Sequence, residues 1–164
     1  MKKIMQQFRK IRCNIITWST HKLALPVIRI LIRPGKFPYS VNDLRGMPDG
    51  STGRELLIFL ETYKLHLLTD YESHDIKHTL LSYPANEEGE ASLQYFMLGN
   101  GQRSFPVLIT VLVSYCTMPE YHHSFRKAYS RGQKTPRLRG TNWFALMTLP
   151  YHTVLQQLNI PDHE

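Results

Sequence analysis

Cysteine is scarce in this 164-residue chain: Cys13 and Cys116 stand far apart and form no metal-binding or redox spacing. That excludes a disulfide-stapled scaffold and a cysteine-rich zinc module, and a reducing compartment is the expectation. No secretory pattern is visible, because Arg9, Lys10 and Arg12 interrupt the first apolar stretch and no small-residue cleavage site follows. The longest run free of charged residues and of histidine, Ser104 to Pro119, is 16 residues, short of the ~20 that a membrane-spanning helix needs. Alternating strand patterns, hairpin signals, fixed-period repeats and low-complexity tracts are all missing. What is present is ordinary globular composition, 42% hydrophobic and 20% charged, in a length that suits one core.

Acidic residues are absent from the first 42 positions, which carry nine Lys or Arg. Residues 43 to 120 have five bases and eleven acids, and residues 121 to 164 have six bases and two acids. The net charge of +7 is therefore concentrated at the two ends around an acidic middle. Basic ends suit nucleic acid, an anionic membrane surface or a targeting role. No nucleic-acid motif accompanies them, so nucleic acid is not an expected partner.

Ile4, Phe8, Ile11, Ile15 and Trp18 recur at steps of four and three, forming one stripe of a basic amphipathic helix. Such a helix can lie in a membrane interface, pack on its own domain or serve as an organellar targeting segment. Residues 1 to 45 are read as a membrane-facing arm and 46 to 164 as a helical domain. In that domain Thr52 and Glu55 suggest a capping box for a helix to about Leu68, with Leu56, Phe59, Leu60 and Tyr63 on one face. Ser73 suggests a cap for a helix from His74 to Leu81, ended by Tyr83-Pro84. Glu87 and Glu88 suit the first turn of a helix reaching about Leu98. Ser104 to about Cys116 reads as a buried central helix, with its Val and Ile content leaving a strand open. Thr117 to Glu120 suggests a second capping box before a helix to about Arg131, and a last helix lies near Tyr151 to Leu158. The expected fold is all-α, a single compact domain of six or seven helices.

His74 and His78 stand at i and i+4, so their imidazoles leave one helix face about one turn apart. Asp75 is displaced around the same helix and can reach the edge of that site as ligand or outer partner. Glu90, twelve residues after His78, falls in the first turn of the next helix and completes the set if the two helices pack side by side. Two imidazoles with carboxylates fit zinc, iron or manganese. The same His pair on a solvated helix face needs no metal at all. A zinc protease of the His-Glu-x-x-His type would require Glu where Asp75 stands. A His-Asp phosphohydrolase would need separated ligands, for which His66 is available but no downstream Asp in the helical body.

The run His74-Asp75-Ile76-Lys77-His78, eleven residues, then Glu90 resembles the His-Asp-x-x-His-x11-Glu signature of the coenzyme Q (ubiquinone) biosynthesis family called Coq-four. Gly50-Ser51-Thr52-Gly53 with Phe59, Gly89-Glu90, Arg131-Gly132 and Trp143 resemble that family's other landmarks, over roughly residues 50 to 160. Phe144 stands where the family often has Glu. The resemblance implies a divalent metal, zinc first, held by His74, Asp75, His78 and Glu90, which would also be the catalytic residues. It implies a polyprenylated benzoate-type quinone precursor or isoprenoid lipid as ligand, with oxidative replacement of a ring carboxylate by hydroxyl. A non-catalytic scaffold organising other quinone-biosynthesis enzymes is the alternative. The implied location is cytoplasmic and peripheral to the inner membrane, mitochondrial in a eukaryote, and a homodimer stays open. On this reading, Leu56, Phe59 and Leu60 together with the 104 to 119 helix would wall the prenyl tail.

Overall fold

The computed structural model describes residues 36 to 69 and 71 to 161. The amphipathic stripe from Ile4 to Trp18, and with it most of the expected 1 to 45 arm, lies outside the described residues. Seven α-helices follow: α1 (Val41–Gly46), α2 (Thr52–Thr62), α3 (Glu72–Leu81), α4 (Glu87–Gly99), α5 (Phe105–Thr117), α6 (His122–Lys134) and α7 (Tyr151–Gln157). Short 3-10 turns at Pro119–Tyr121 and Trp143–Leu146 complete the set. Among the described residues there is no strand, only an isolated bridge between Ser51 and Pro150, so the domain is all-α as expected.

Local chemistry sets the helix starts, though not always at the anticipated residue. In α1, the Ser40 hydroxyl accepts from the Asp43 amide at 3.2 Å, and Asp43 Oδ2 accepts from the Ser40 amide at 2.7 Å, a reciprocal box. Ser51, one residue before the expected Thr52, caps α2 by accepting from the Arg54 amide. Thr52 is used elsewhere: its amide and hydroxyl both donate to the Leu149 carbonyl. With Gly53 N–H donating to Met147 and Tyr151 N–H to Gly50, it ties the start of α2 to the approach of α7. Gly50 has φ of +76°, which suits glycine. Helix α2 ends at Thr62 rather than Leu68, and α3 begins at Glu72 with no side-chain cap from Ser73. Thr117 closes α5 by bonding back to the Val113 carbonyl instead of opening a capping box. A 3-10 turn at Pro119–Tyr121 then leads into α6.

Two large apolar clusters and a small third one of Ala91, Met118 and Phe125 form the core. Leu44, Leu56, Leu60, Ile76, Leu80, Met147 and Val154 fill the first, between α1, α2, α3 and α7. Leu81, Leu93, Phe96, Met97, Val107 and Ala128 are among those filling the second, between α4, α5 and α6. Trp143 and Leu158 touch both. Helices α4 and α6 pack backbone to backbone: a Cβ at Gly132 would overlap the Phe96 carbonyl, and one at Gly99 the Tyr129 carbonyl. Buried Asn100 locks this contact. Its amide donates to the carbonyls of Gly132, Thr135 and Pro136, and its Oδ1 accepts from the Leu138 amide at 2.9 Å.

The uncharged run was expected to be the buried central helix, and it is not buried. It forms α5 as a helix, with Val107 and Ser114 turned inward, while Phe105, Leu108, Leu112 and Tyr115 are 45–65% exposed. Helices α4 and α6 already satisfy one another at close range, so α5 covers only one flank of α4. Leu56 and Leu60 are likewise interior residues of the first cluster and present no wall to a ligand.

Candidate metal centre

Helix α3 carries His74 and His78 on one face, with ring centroids 4.6 Å apart. The chain leaves α3 through Ser82 in the left-handed region, φ 57°, so Tyr83 folds back and its carbonyl meets His78 Nδ1 at 3.0 Å. Next to this reversal lies the first turn of α4, capped by Asn86. A Cβ at Gly89 would overlap the Pro84 carbonyl, so glycine permits the approach that delivers Glu90 to the two imidazoles. Glu90 Oε2 is 3.3 Å from His74 Nε2, and Oε1 is 3.3 Å from His78 Nε2. One ligand atom from each of the three residues lies within 4.8 Å of the others.

The donor set fits a small divalent cation. A carbonyl only accepts, so the proton of neutral His78 sits on Nδ1 and a lone pair on Nε2. That buried Nε2 has no hydrogen-bond partner and faces Glu90 Oε1 at 3.3 Å, a contact that a proton or a metal cation between the two atoms would satisfy. Each imidazole Nε2 thus meets a different oxygen of the same carboxylate, and imidazole and carboxylate donors at this spacing are of the kind that zinc takes. A metal here would be held by His74, His78 and Glu90. Asp75 does not join these three: its Oδ1 stands 3.6 Å from His74 Nδ1, behind the ring, where a carboxylate orients a metal-binding imidazole.

Electrostatics agree with a cation-seeking site. Burial by itself would lower the His74 pKa, but the Glu90 charge and the Asp75 contact raise it to about 9. Burial likewise opposes the Glu90 charge, yet the His74 cation and its hydrogen bond hold the carboxyl well below the usual carboxylate range. Burial, then the charges of Glu90 and Asp75, push the Tyr71 hydroxyl far up. Lys77, on the same helix, is brought down to about 8 by burial, with its ammonium 5.6 Å from the Trp143 ring centre.

Tyr71, which the sequence pattern did not mark, and Phe59, which it placed on the tail-facing side, complete the surroundings. Tyr71 stacks on His74 at 4.3 Å, and Phe59 stacks on His78 at 5.8 Å. Tyr71 stands three residues before His74, a helical-face spacing that could have pointed to it. Nothing local marks the Tyr83 carbonyl, because its role depends on the chain reversal. Between Phe59 and Tyr71 the connection exposes Tyr63, Leu65 and Leu68, with the Tyr63 ring 4.9 Å from that of Phe59. His66 is exposed on this connection and outside the cluster. His122 stacks on Tyr115, and exposed His152 lies against Tyr151. Arg131 is buried and donates to the Leu81 and Pro161 carbonyls, bracing the end of α3. A cavity of about 470 Å³ opens on the far side of the Ser82–Pro84 turn, lined by groups including Ser92, Ser124 and Lys127, and none of the cluster residues lines it.

Fold and site together define an all-α protein with a partly buried two-histidine, one-carboxylate cluster bridging consecutive helices. No protein-family model and no curated protein matches the sequence. Among solved structures, the chain is similar to the crystal structure of a protein from Nostoc punctiforme PCC 73102 whose name assigns it provisionally to ubiquinone biosynthesis. The TM-score is 0.61 at 20% identity, over 95% of this chain and 83% of that one. At this identity the two share a fold.

Proposed function

We propose that this chain is a ubiquinone-biosynthesis-type protein that holds a divalent metal, zinc first, at His74, His78 and Glu90 and acts on a polyprenylated benzoate-type precursor at a membrane surface. One observation carries the metal: the orphaned, buried His78 Nε2 facing Glu90 Oε1 at 3.3 Å. The motif resemblance and the Nostoc fold neighbour support the substrate class. A bound divalent metal supplies a Lewis acid that stabilises negative charge on a carboxylate or phenolate oxygen. Phe59 and Tyr71 shield the imidazoles from water, Asp75 orients His74, and the Tyr83 carbonyl keeps the His78 proton on Nδ1. Leu65 and Leu68 offer apolar contact to the tail. Exchange of a ring carboxylate for hydroxyl takes up one water and releases carbon dioxide, two protons and two electrons, so an external two-electron oxidant is required.

A scaffold reading is favoured by one feature: the three ligands come from α3 and α4, so the same ion would pin two helices without turnover. Native mass spectrometry of the purified chain tests metal and copurified lipid together, with a divalent ion and a prenylated mass expected. A chain carrying neither overturns the proposal. Metabolite profiling of a deletion strain separates the two roles: accumulation of the carboxylated precursor indicates catalysis, and broad loss of late intermediates indicates a scaffold.

A further inference from the structure

Helix α5 is apolar all round, a pattern that normally means burial on every side, yet half of it meets solvent. Phe105, Leu108, Leu112 and Tyr115 fall on one stripe and are 45–65% exposed, with Cys116 exposed beside them. Val107 and Ser114 occupy the opposite, buried face. The 13 residues span about 20 Å, and among the described residues no helix is long and apolar enough to cross a membrane. The exposed stripe amounts to roughly 400 Å² of apolar surface, in the range of a monomer's largest and often functional patch and well below the ~800 Å² per partner of a stable protein interface.

Charge around the stripe selects its occupant. From residue 91 to residue 161 the chain has seven Lys or Arg and one acid, Glu120. Arg103 directly precedes the helix, and the Arg137 guanidinium lies against Gly101 at the turn into it. An uncharged apolar stripe with Arg103 and Arg137 at its N-terminal end and one acid, Glu120, beyond its C-terminal end matches an anionic lipid surface, whereas a second copy would bring the same excess of positive charge. We infer that the exposed face of α5 lies in the interface of an anionic bilayer, with Phe105, Leu108, Leu112 and Tyr115 entering the acyl boundary and Arg103 and Arg137 at the head groups. The inference rests on the membrane-surface part of the proposed function and is independent of the metal.

The test uses the full chain with Cys13→Ser and an environment-sensitive NBD label on Cys116, mixed with vesicles of phosphatidylcholine alone or with added phosphatidylglycerol. Label emission is expected to rise severalfold and shift to the blue with the anionic vesicles only. Unlabelled Phe105→Ser/Leu112→Glu protein should float with those vesicles at least about tenfold less, at unchanged helix content by circular dichroism. Should that variant misfold, the label on the parent chain still decides, joined by Arg103→Glu, for which weakened flotation is expected. Equal flotation of parent and a folded variant, with an unmoved label, overturns the inference while leaving membrane association intact. A label already shielded without vesicles shows the face covered by a second copy or by the chain's own N-terminal segment, and overturns it as well. Absence of any vesicle binding removes the membrane part of the proposed function too, while metal content measured on the same preparation stands separately.

Discussion

The Tyr83 backbone carbonyl accepts the Nδ1 proton of His78 at 3.0 Å, and this contact turns a generic imidazole into a ligand with its lone pair aimed at Glu90. Removing a ligand and removing an orienting group should therefore differ. His78→Ala is expected to abolish stoichiometric metal, whereas Asp75→Asn should keep a metal at about 10–100-fold weaker affinity, the usual effect of an outer partner. Competition titration against a chromogenic chelator measures both. Equal loss in the two variants would place Asp75 among the ligands.

Glycine at 89 is a steric requirement of the site, since a side chain there meets the Pro84 carbonyl. Gly89→Ala should push the first turn of α4 away from the Ser82–Pro84 turn and carry Glu90 with it. Metal affinity is expected to fall at least about tenfold although all three ligands remain, with a stability loss of about 1–3 kcal/mol from overpacking. Chelator competition and urea unfolding report the two effects, and unchanged affinity would show that the turn yields instead.

In metal-free protein, His74 has its pKa raised from 6.5 to about 9. Its pairing stability is thus fully present below pH 6.5 and is lost as the pH rises through about 9. A metal must displace this proton, so the metal-induced increase in Tm should be small near pH 6 and grow towards about pH 8.5. Thermal unfolding with and without zinc across that range checks the sign, and an increase that does not depend on pH contradicts it.

Asn100 satisfies three carbonyls and the Leu138 amide where α4, α6 and the following loop converge. Asn100→Ala leaves buried groups without partners, at about 1–3 kcal/mol for each orphan. Unfolding in urea should show a loss on the order of 3 kcal/mol. Metal affinity should hold under conditions where the variant remains folded, because the clamp lies at the far end of α4 from Glu90.

The exposed leucines between Phe59 and Tyr71 give a separate handle on the ligand. Leu65→Ser/Leu68→Ser replaces exposed apolar side chains and should cost little stability. Retention of a prenylated probe, measured by native mass spectrometry, is expected to drop while metal occupancy stays level. Undiminished retention would locate the tail elsewhere.

Much was legible in the sequence because its signals are local. The i, i+4 His pair, the acid-rich start of α4 and the turn residues between helices are written within a few positions of one another, and helical geometry converts them directly into three-dimensional neighbours. Helix starts slipped by a residue or two because Ser51 and Thr52 can each cap, and the choice went to the one not drawn off by the Leu149 carbonyl, 97 residues away from Thr52.

The sequence by itself determined an all-helical chain and brought His74, His78 and Glu90 forward as one set. Only the tertiary structure decided which nitrogen of His78 is left to bind, that Asp75 stands behind His74, and that α5 exposes the stripe its composition would bury. Each of those depends on what distant segments do with their own backbone and bulk. The Ser82 reversal aims a carbonyl, and the glycine-mediated contact of α4 with α6 leaves α5 one flank of α4 to cover. Periodicity along one helix cannot encode how much room its neighbours leave.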